Sequence, residues 1–163
     1  QLMPELLDQI TQDGQLFGAD ISADMISEAA EFLGRAGYAS NFELYQTNST
    51  SLPIANDDLD GVVAINVVYF WQDAVDHLRE IRRVLKAKGR LVIAVRGLAY
   101  MQAMPFGKDG FVLREDQEYR AMFQEAGFQL LEEARFVDEQ LGEIKVNVPA
   151  EVILFLAQPK IDF

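Results

Sequence analysis

The chain has 163 residues, half of them hydrophobic, a quarter charged and none cysteine. That length and mix fit one globular domain with a real core. The missing cysteines exclude disulfides, thiolate chemistry and cysteine metal sites, as fits a reducing cytoplasm. A formal charge of −12, from 26 acidic and 14 basic residues, repels phosphate backbones and argues against nucleic acid as a partner. No apolar run nears the roughly 20 residues that cross a bilayer, so no membrane partner is expected.

Leu2, Leu6, Leu7 and Ile10 sit at helical spacing and stop at Asp13-Gly14. Residues 15–20 read as a short strand ending in an acid. Ser22 can cap the next helix, whose apolar face is Met25, Ile26, Ala29, Ala30 and Leu33, with Gly34 and Gly37 closing it. Residues 42–46 form a second strand, and 47–58 a polar loop around Leu52-Pro53. Residues 61–68 are almost continuously apolar, as in a strand buried on both faces of a parallel sheet. Val75, Leu78, Ile81 and Leu85 stripe a helix predicted over 74–88, ending at Lys88-Gly89. Residues 90–95 are another buried strand.

The stretch 96–113 is irregular. A helix follows over 115–126, then strands at 128–137 and 151–157, joined through 141–149 as an antiparallel pair. This alternation predicts an α/β fold of three layers, a mostly parallel Rossmann-like sheet with helices on both faces and an antiparallel last strand.

Ligands of open α/β sheets bind beyond the carboxyl ends of the strands. Those ends are Asp20, Thr47-Asn48, Asn66 with Val67, and Arg96-Gly97, expected to face one crevice. Asp20 can accept two hydrogen bonds from a ribose diol, of a nicotinamide or an adenosyl cofactor alike, or serve as a turn residue. Asn48, Ser49 and Thr50 can meet a purine edge with Ile21 and Met25 on its ring, or form an Asx or Ser/Thr turn. Asn66 is polar in an apolar strand, and a buried amide needs partners. Tyr69, Phe70 and Trp71 either floor a substrate pocket or cover the sheet end. His77 lies off the apolar stripe and reads as exposed. One histidine without cysteine makes no standard zinc set, so no metal is expected. No Ser-His-acid set or catalytic carboxylate pair stands out, and the catalytic residues stay unassigned.

Several segments in order carry a family resemblance: Gly18-Ala19-Asp20 and on to Met25, Thr47-Asn48-Ser49 through Leu52-Pro53-Ile54, Leu59-Asp60-Gly61-Val62-Val63, residues 77–95 and above all 78–93, and Ala126-Gly127-Phe128. From Leu16 onward the chain resembles the class I S-adenosylmethionine-dependent methyltransferases, in particular the small-molecule group of ubiquinone and menaquinone biosynthesis. The resemblance implies S-adenosylmethionine as cofactor. It places Asp20 on the ribose, Ile21 and Met25 beside the adenine, Asn48 and Ser49 at its edge, and Asn66 and Val67 near the methionine part. On the acceptor side the candidates are Tyr69 and Phe70, with 96–113 either shaping the acceptor site through Tyr100, Met101, Met104 and Phe106 or serving as a mobile cover without acceptor contact.

Two positions depart from the pattern: Asn48 stands where an acid is common, and Ala87-Lys88-Gly89 replaces the usual Pro-Gly pair. The family's first strand and Gly-x-Gly loop belong before Gln1. The expectation is therefore one N-terminally incomplete domain over 1–163, either a piece of a longer protein or a domain completed by a partner chain, as in a homodimer. The activity implied is methyl transfer to a small molecule in the cytoplasm. The alternatives are a non-enzymatic methyltransferase-like binding module and a nicotinamide-dependent oxidoreductase.

Overall fold

A computed structural model describes residues 2–10, 13–38, 41–105, 110–138 and 147–161. They fall into two compact units, Gln1–Pro53 and Ile54–Phe163.

In the first unit α1 (Leu2–Gln9) and α2 (Ala23–Arg35) accompany two parallel strands, β1 (Leu16–Asp20) and β2 (Phe42–Gln46). Leu16 pairs with Phe42 and Asp20 with Gln46, so both strands end at one level. Ser22 caps α2 by accepting from Met25 N at 3.3 Å, which satisfies one of the helix's orphan donors. Leu33 on its inner face is fully buried. A Cβ at Gly18 in β1 would lie 2.6 Å from Leu44 Cδ2, so helix α1 and strand β2 close onto bare backbone there.

The second unit holds a four-stranded sheet in the order β3 (Leu59–Ile65), β4 (Leu85–Arg96), β6 (Glu151–Pro159), β5 (Phe128–Val137). Strands β3 and β4 are parallel, and β6 runs antiparallel to both of its neighbours. Only the last strand is reversed, as the sequence predicts. It does not sit at the edge, however: β6 is inserted between β4 and β5, which pairs its apolar run Val152–Ala157 on both sides. Helices α3 (Ala74–Val84) and α5 (Asp116–Glu125) bury Leu78, Ile81, Tyr119 and Phe123 against Ile93 and Phe155. Glu115 and Glu118 close a reciprocal capping box at the start of α5.

One boundary differs from expectation. The helix predicted over 74–88 ends at Val84, and β4 begins at Leu85, which pairs with Leu59 of β3. Leu85 continues the helical stripe, but it is buried with an extended backbone (ψ 135°) and serves the sheet instead. Two short helical pieces are absent from the predicted elements, a 3-10 turn at Val68–Phe70 and α4 (Leu98–Ala103). No helix among the described residues is long and apolar enough to cross a membrane.

Candidate functional site

At the carboxyl end of β1, Asp20 Oδ1 accepts from Ser22 N at 2.8 Å, so the carboxylate is held by the turn that starts α2. Beyond it Ile21 is 71% and Met25 51% exposed, two large apolar side chains next to an acid. The β2 end lies alongside: Thr47 N donates to Asp20 O at 2.9 Å, and Gln46 Nε2 to Ile21 O at 3.3 Å. Asn48 Oδ1 accepts from Thr50 N (3.2 Å) and from Thr50 Oγ1 (2.8 Å), an Asx turn. Ser49 adopts φ 61°, and its N–H donates to Thr47 Oγ1 at 3.3 Å. The structure thus brings Asp20, Ile21, Met25, Asn48 and Ser49 to the same end of the first unit. A carboxylate beside exposed apolar surface suits a nucleoside, whose diol donates and whose base stacks. A groove of about 370 Å³ between α1 and α2 includes Met25, Met3 and Phe32. It follows the helices and not the strand ends, and Met25 alone of the expected residues lines it.

In the second unit the carboxyl ends of β3 and β4 form the corresponding rim. Asn66 has φ 56°, and its N–H donates to Ala94 O at 2.9 Å, the last rung between the strands. Asn66 and Val67 are exposed. Tyr69 is 3% exposed; its hydroxyl accepts from Arg96 N–H and donates to Asn66 Oδ1 at 3.4 Å. Burial raises the Tyr69 phenol to about 12, against a smaller opposing effect of Arg96. Phe70 is 59% exposed and packs on Phe111, ring centroids 4.9 Å apart.

Tyr100, Met101 and Met104 are buried, and Phe106 lies outside the described residues. Of the acceptor-side candidates among the described residues, Phe70 alone presents an exposed ring. Among the described residues the Tyr100 hydroxyl and Arg96 Nη1 are buried side-chain atoms without a hydrogen-bond partner, while Arg96 Nη2 pairs with Asp138 at 3.0 Å. His77 is half-buried and stacks on Trp71, centroids 4.6 Å apart and planes 5° from parallel, which corrects the exposed reading. A histidine at the edge of an apolar stripe can cover an aromatic, and a one-dimensional pattern does not show that.

Sequence reasoning missed Arg114. Its Nη1 donates to Val68 O (3.1 Å) and Val112 O (3.2 Å), and its Nη2 to Trp71 O (2.7 Å). This guanidinium pins the 3-10 turn that carries Tyr69 and Phe70. The available signal was an arginine following Val112-Leu113 in an otherwise acidic stretch. No group of three His, Cys, Asp or Glu side chains that could hold a metal occurs among the described residues.

The sequence pattern of one family, described as a methyltransferase domain, matches residues 2–93, more than half of the chain. The chain belongs to the methyltransferase domain family. The match bears out the resemblance to the class I S-adenosylmethionine-dependent methyltransferases. Demethylmenaquinone methyltransferase of Desulfitobacterium hafniense is 33% identical over 92 residues, 56% of this chain and 36% of the relative. The ubiquinone/menaquinone biosynthesis C-methyltransferase UbiE of Hahella chejuensis is 31% identical over 83 residues, 49% of this chain and 32% of the relative. The methyltransferase chain therefore spans about a third of the length of these relatives. In structure it is similar to a SAM-dependent methyltransferase from Aquifex aeolicus, with TM-score 0.76 and 16% identity over 96% of this chain and 75% of that one. At that identity the likeness speaks for the fold.

Proposed function

We propose that this methyltransferase domain serves S-adenosylmethionine-dependent methyl transfer to a small-molecule acceptor in the cytoplasm, within one domain that spans 1–163. The observation that carries the reading is the β1 end: Asp20 held by Ser22 N, with Ile21 and Met25 exposed beside it. Asp20 takes the ribose hydroxyls, Ile21 and Met25 flank the adenine, and Asn48 and Ser49 lie at its edge. Asn66 and Val67 take the methionine end, and Tyr69 and Phe70 face the acceptor, with 96–113 as its cover. The small-molecule reading draws support from relatives named for quinone biosynthesis.

The bound cofactor supplies a methyl group already activated on a sulfonium, so orientation and water exclusion are the protein's main task. The nicotinamide alternative draws no support from the family match. A non-enzymatic methyltransferase-like module would bind no cofactor. Calorimetric titration of the full-length protein with S-adenosylhomocysteine separates the readings. Saturable binding supports the methyltransferase; no heat and no thermal shift at millimolar ligand would refute it.

A further inference from the structure

In a parallel ladder, the rung after Asn66 N–H to Ala94 O would run from Arg96 N–H to Asn66 O. The left-handed backbone at Asn66 turns that carbonyl away, and the Tyr69 hydroxyl takes the Arg96 N–H in its place. A phenol has one proton and two lone pairs. With a lone pair spent on Arg96, the Tyr69 proton needs an acceptor, because the side chain is buried and an unmet buried donor is costly. Asn66 Oδ1 at 3.4 Å is that acceptor. The relay therefore runs one way, from Arg96 N–H through Tyr69 O–H to Asn66 Oδ1, and it fixes which end of the carboxamide faces Tyr69. Asn66 Nδ2, on the other branch of an exposed side chain, is left as a donor for a ligand.

The relay is held from several sides. Val112 N donates to Tyr69 O at 2.7 Å, Phe111 meets the Tyr69 ring edge-on at 6.0 Å, and Arg114 holds the carbonyls of Val68 and Trp71. Phenylalanine at position 69 would keep the packing and lose the relay.

We propose that Tyr69 is a positioning residue that orients the Asn66 amide so that its NH2 donates to a ligand carboxylate. The proposal rests on the cofactor reading above, since the amino-acid end of an adenosyl cofactor carries that carboxylate. An amide donor is strengthened by an anionic acceptor, and the carboxylate is the cofactor's anionic group. The long 3.4 Å bond has room to shorten when the site is filled, as site hydrogen bonds do on binding.

The test uses the full-length protein titrated with S-adenosylhomocysteine and with methylthioadenosine, which keeps the nucleoside and lacks the carboxylate. Tyr69→Phe and Asn66→Gly, the latter chosen because glycine accepts the positive φ, should each weaken S-adenosylhomocysteine by about tenfold. Methylthioadenosine affinity should not change. The double variant should bind S-adenosylhomocysteine no more weakly than Asn66→Gly alone, because Tyr69 acts through Asn66. Equal weakening of both ligands, additive effects, or an unchanged Tyr69→Phe protein overturns the proposal. If Tyr69→Phe does not fold, Asn66→Asp decides: it offers Tyr69 an acceptor but no donor to the ligand, and selective loss of S-adenosylhomocysteine is expected. Wild-type protein that binds neither ligand defeats the cofactor reading itself. Wild-type binding with insensitive variants defeats only the relay.

Discussion

Arg82 of α3 donates from Nε to the carbonyl of Gly127 at 3.1 Å, and from Nη2 to the carbonyl of Lys160 at 3.3 Å. One side chain thus ties a helix to the turn that opens β5 and to the residue that follows β6. Gly127 has φ 81°, and a Cβ there would lie 2.8 Å from Arg82 Nε and 3.1 Å from Arg82 Cδ. Alanine would meet both the left-handed backbone and the guanidinium. Gly127→Ala should lower stability by about 2 kcal/mol, read as a lower urea midpoint at unchanged slope. An unchanged midpoint would show that Arg82 can move aside without loss.

Two glycines at contrasting sites make a paired prediction. A Cβ on Gly89 would sit 2.9 Å from Leu85 Cδ2, 3.0 Å from Lys86 O and 3.1 Å from Leu59 O, and backbone oxygens do not yield cheaply. Gly34 in α2 has nothing within 4 Å of its added Cβ. Gly89→Ala should destabilise by about 1–3 kcal/mol, whereas Gly34→Ala should stabilise by about 0.5–1 kcal/mol through helix propensity. Thermal unfolding of both variants, with opposite signs of change, checks the pair.

Gly89 also shows where the sequence could be read and where it could not. Its place after Lys88 marks a helix stop in any one-dimensional pattern, so a helix followed by a buried strand was legible, although the stop falls too late: the helix ends at Val84 and Gly89 lies inside β4. The early switch at Leu85 was not, because it depends on Leu59, far back in the chain, offering a strand partner. The same holds for the site. Asp20 and Asn66 stand out as polar residues that end apolar runs, and Asn48 as a short polar residue after the second strand; the structure puts Asp20 and Asn66 at strand ends and Asn48 just beyond β2. The Tyr69 hydroxyl on Arg96 N–H and the Arg114 clamp on Val68 and Trp71 are contacts between distant segments. No local periodicity encodes them.

His77 gives the protein a pH dependence whose sign follows from its surroundings. Burial against Trp71 lowers its pKa from the usual 6.5, with Asp73 and Asp76 opposing in part. The folded state thus prefers the neutral ring, and its contribution is fully present above about pH 6.5. As pH falls from there through the lowered folded value, the unfolded chain takes up the proton first and stability declines. Wild-type melting temperature should drop more between about pH 7.5 and 5 than that of His77→Phe, which retains a flat ring on Trp71 and cannot titrate. Parallel curves for the two proteins would remove His77 from the account.

The ribose role proposed for the Asp20 carboxylate is separable from its turn bond, and substitutions can divide the two. Its Oδ1 accepts from Ser22 N in the turn that opens α2, while the ribose role needs a charged acceptor for hydroxyl donors. The change Asp20→Asn keeps an oxygen for Ser22 N and removes the charge; Asp20→Ala removes both. Charged hydrogen bonds are worth about 1.5–3 kcal/mol, so Asp20→Asn and Asp20→Ala should each weaken S-adenosylhomocysteine by roughly 10- to 100-fold. Only Asp20→Ala should also lower the urea midpoint, by the roughly 1 kcal/mol of a lost turn bond. If both variants bind as wild type does while Asp20→Ala alone is destabilised, Asp20 is a turn residue and the ribose contact lies elsewhere. If binding falls in both and stability in one, the same carboxylate builds the turn and reads the ligand.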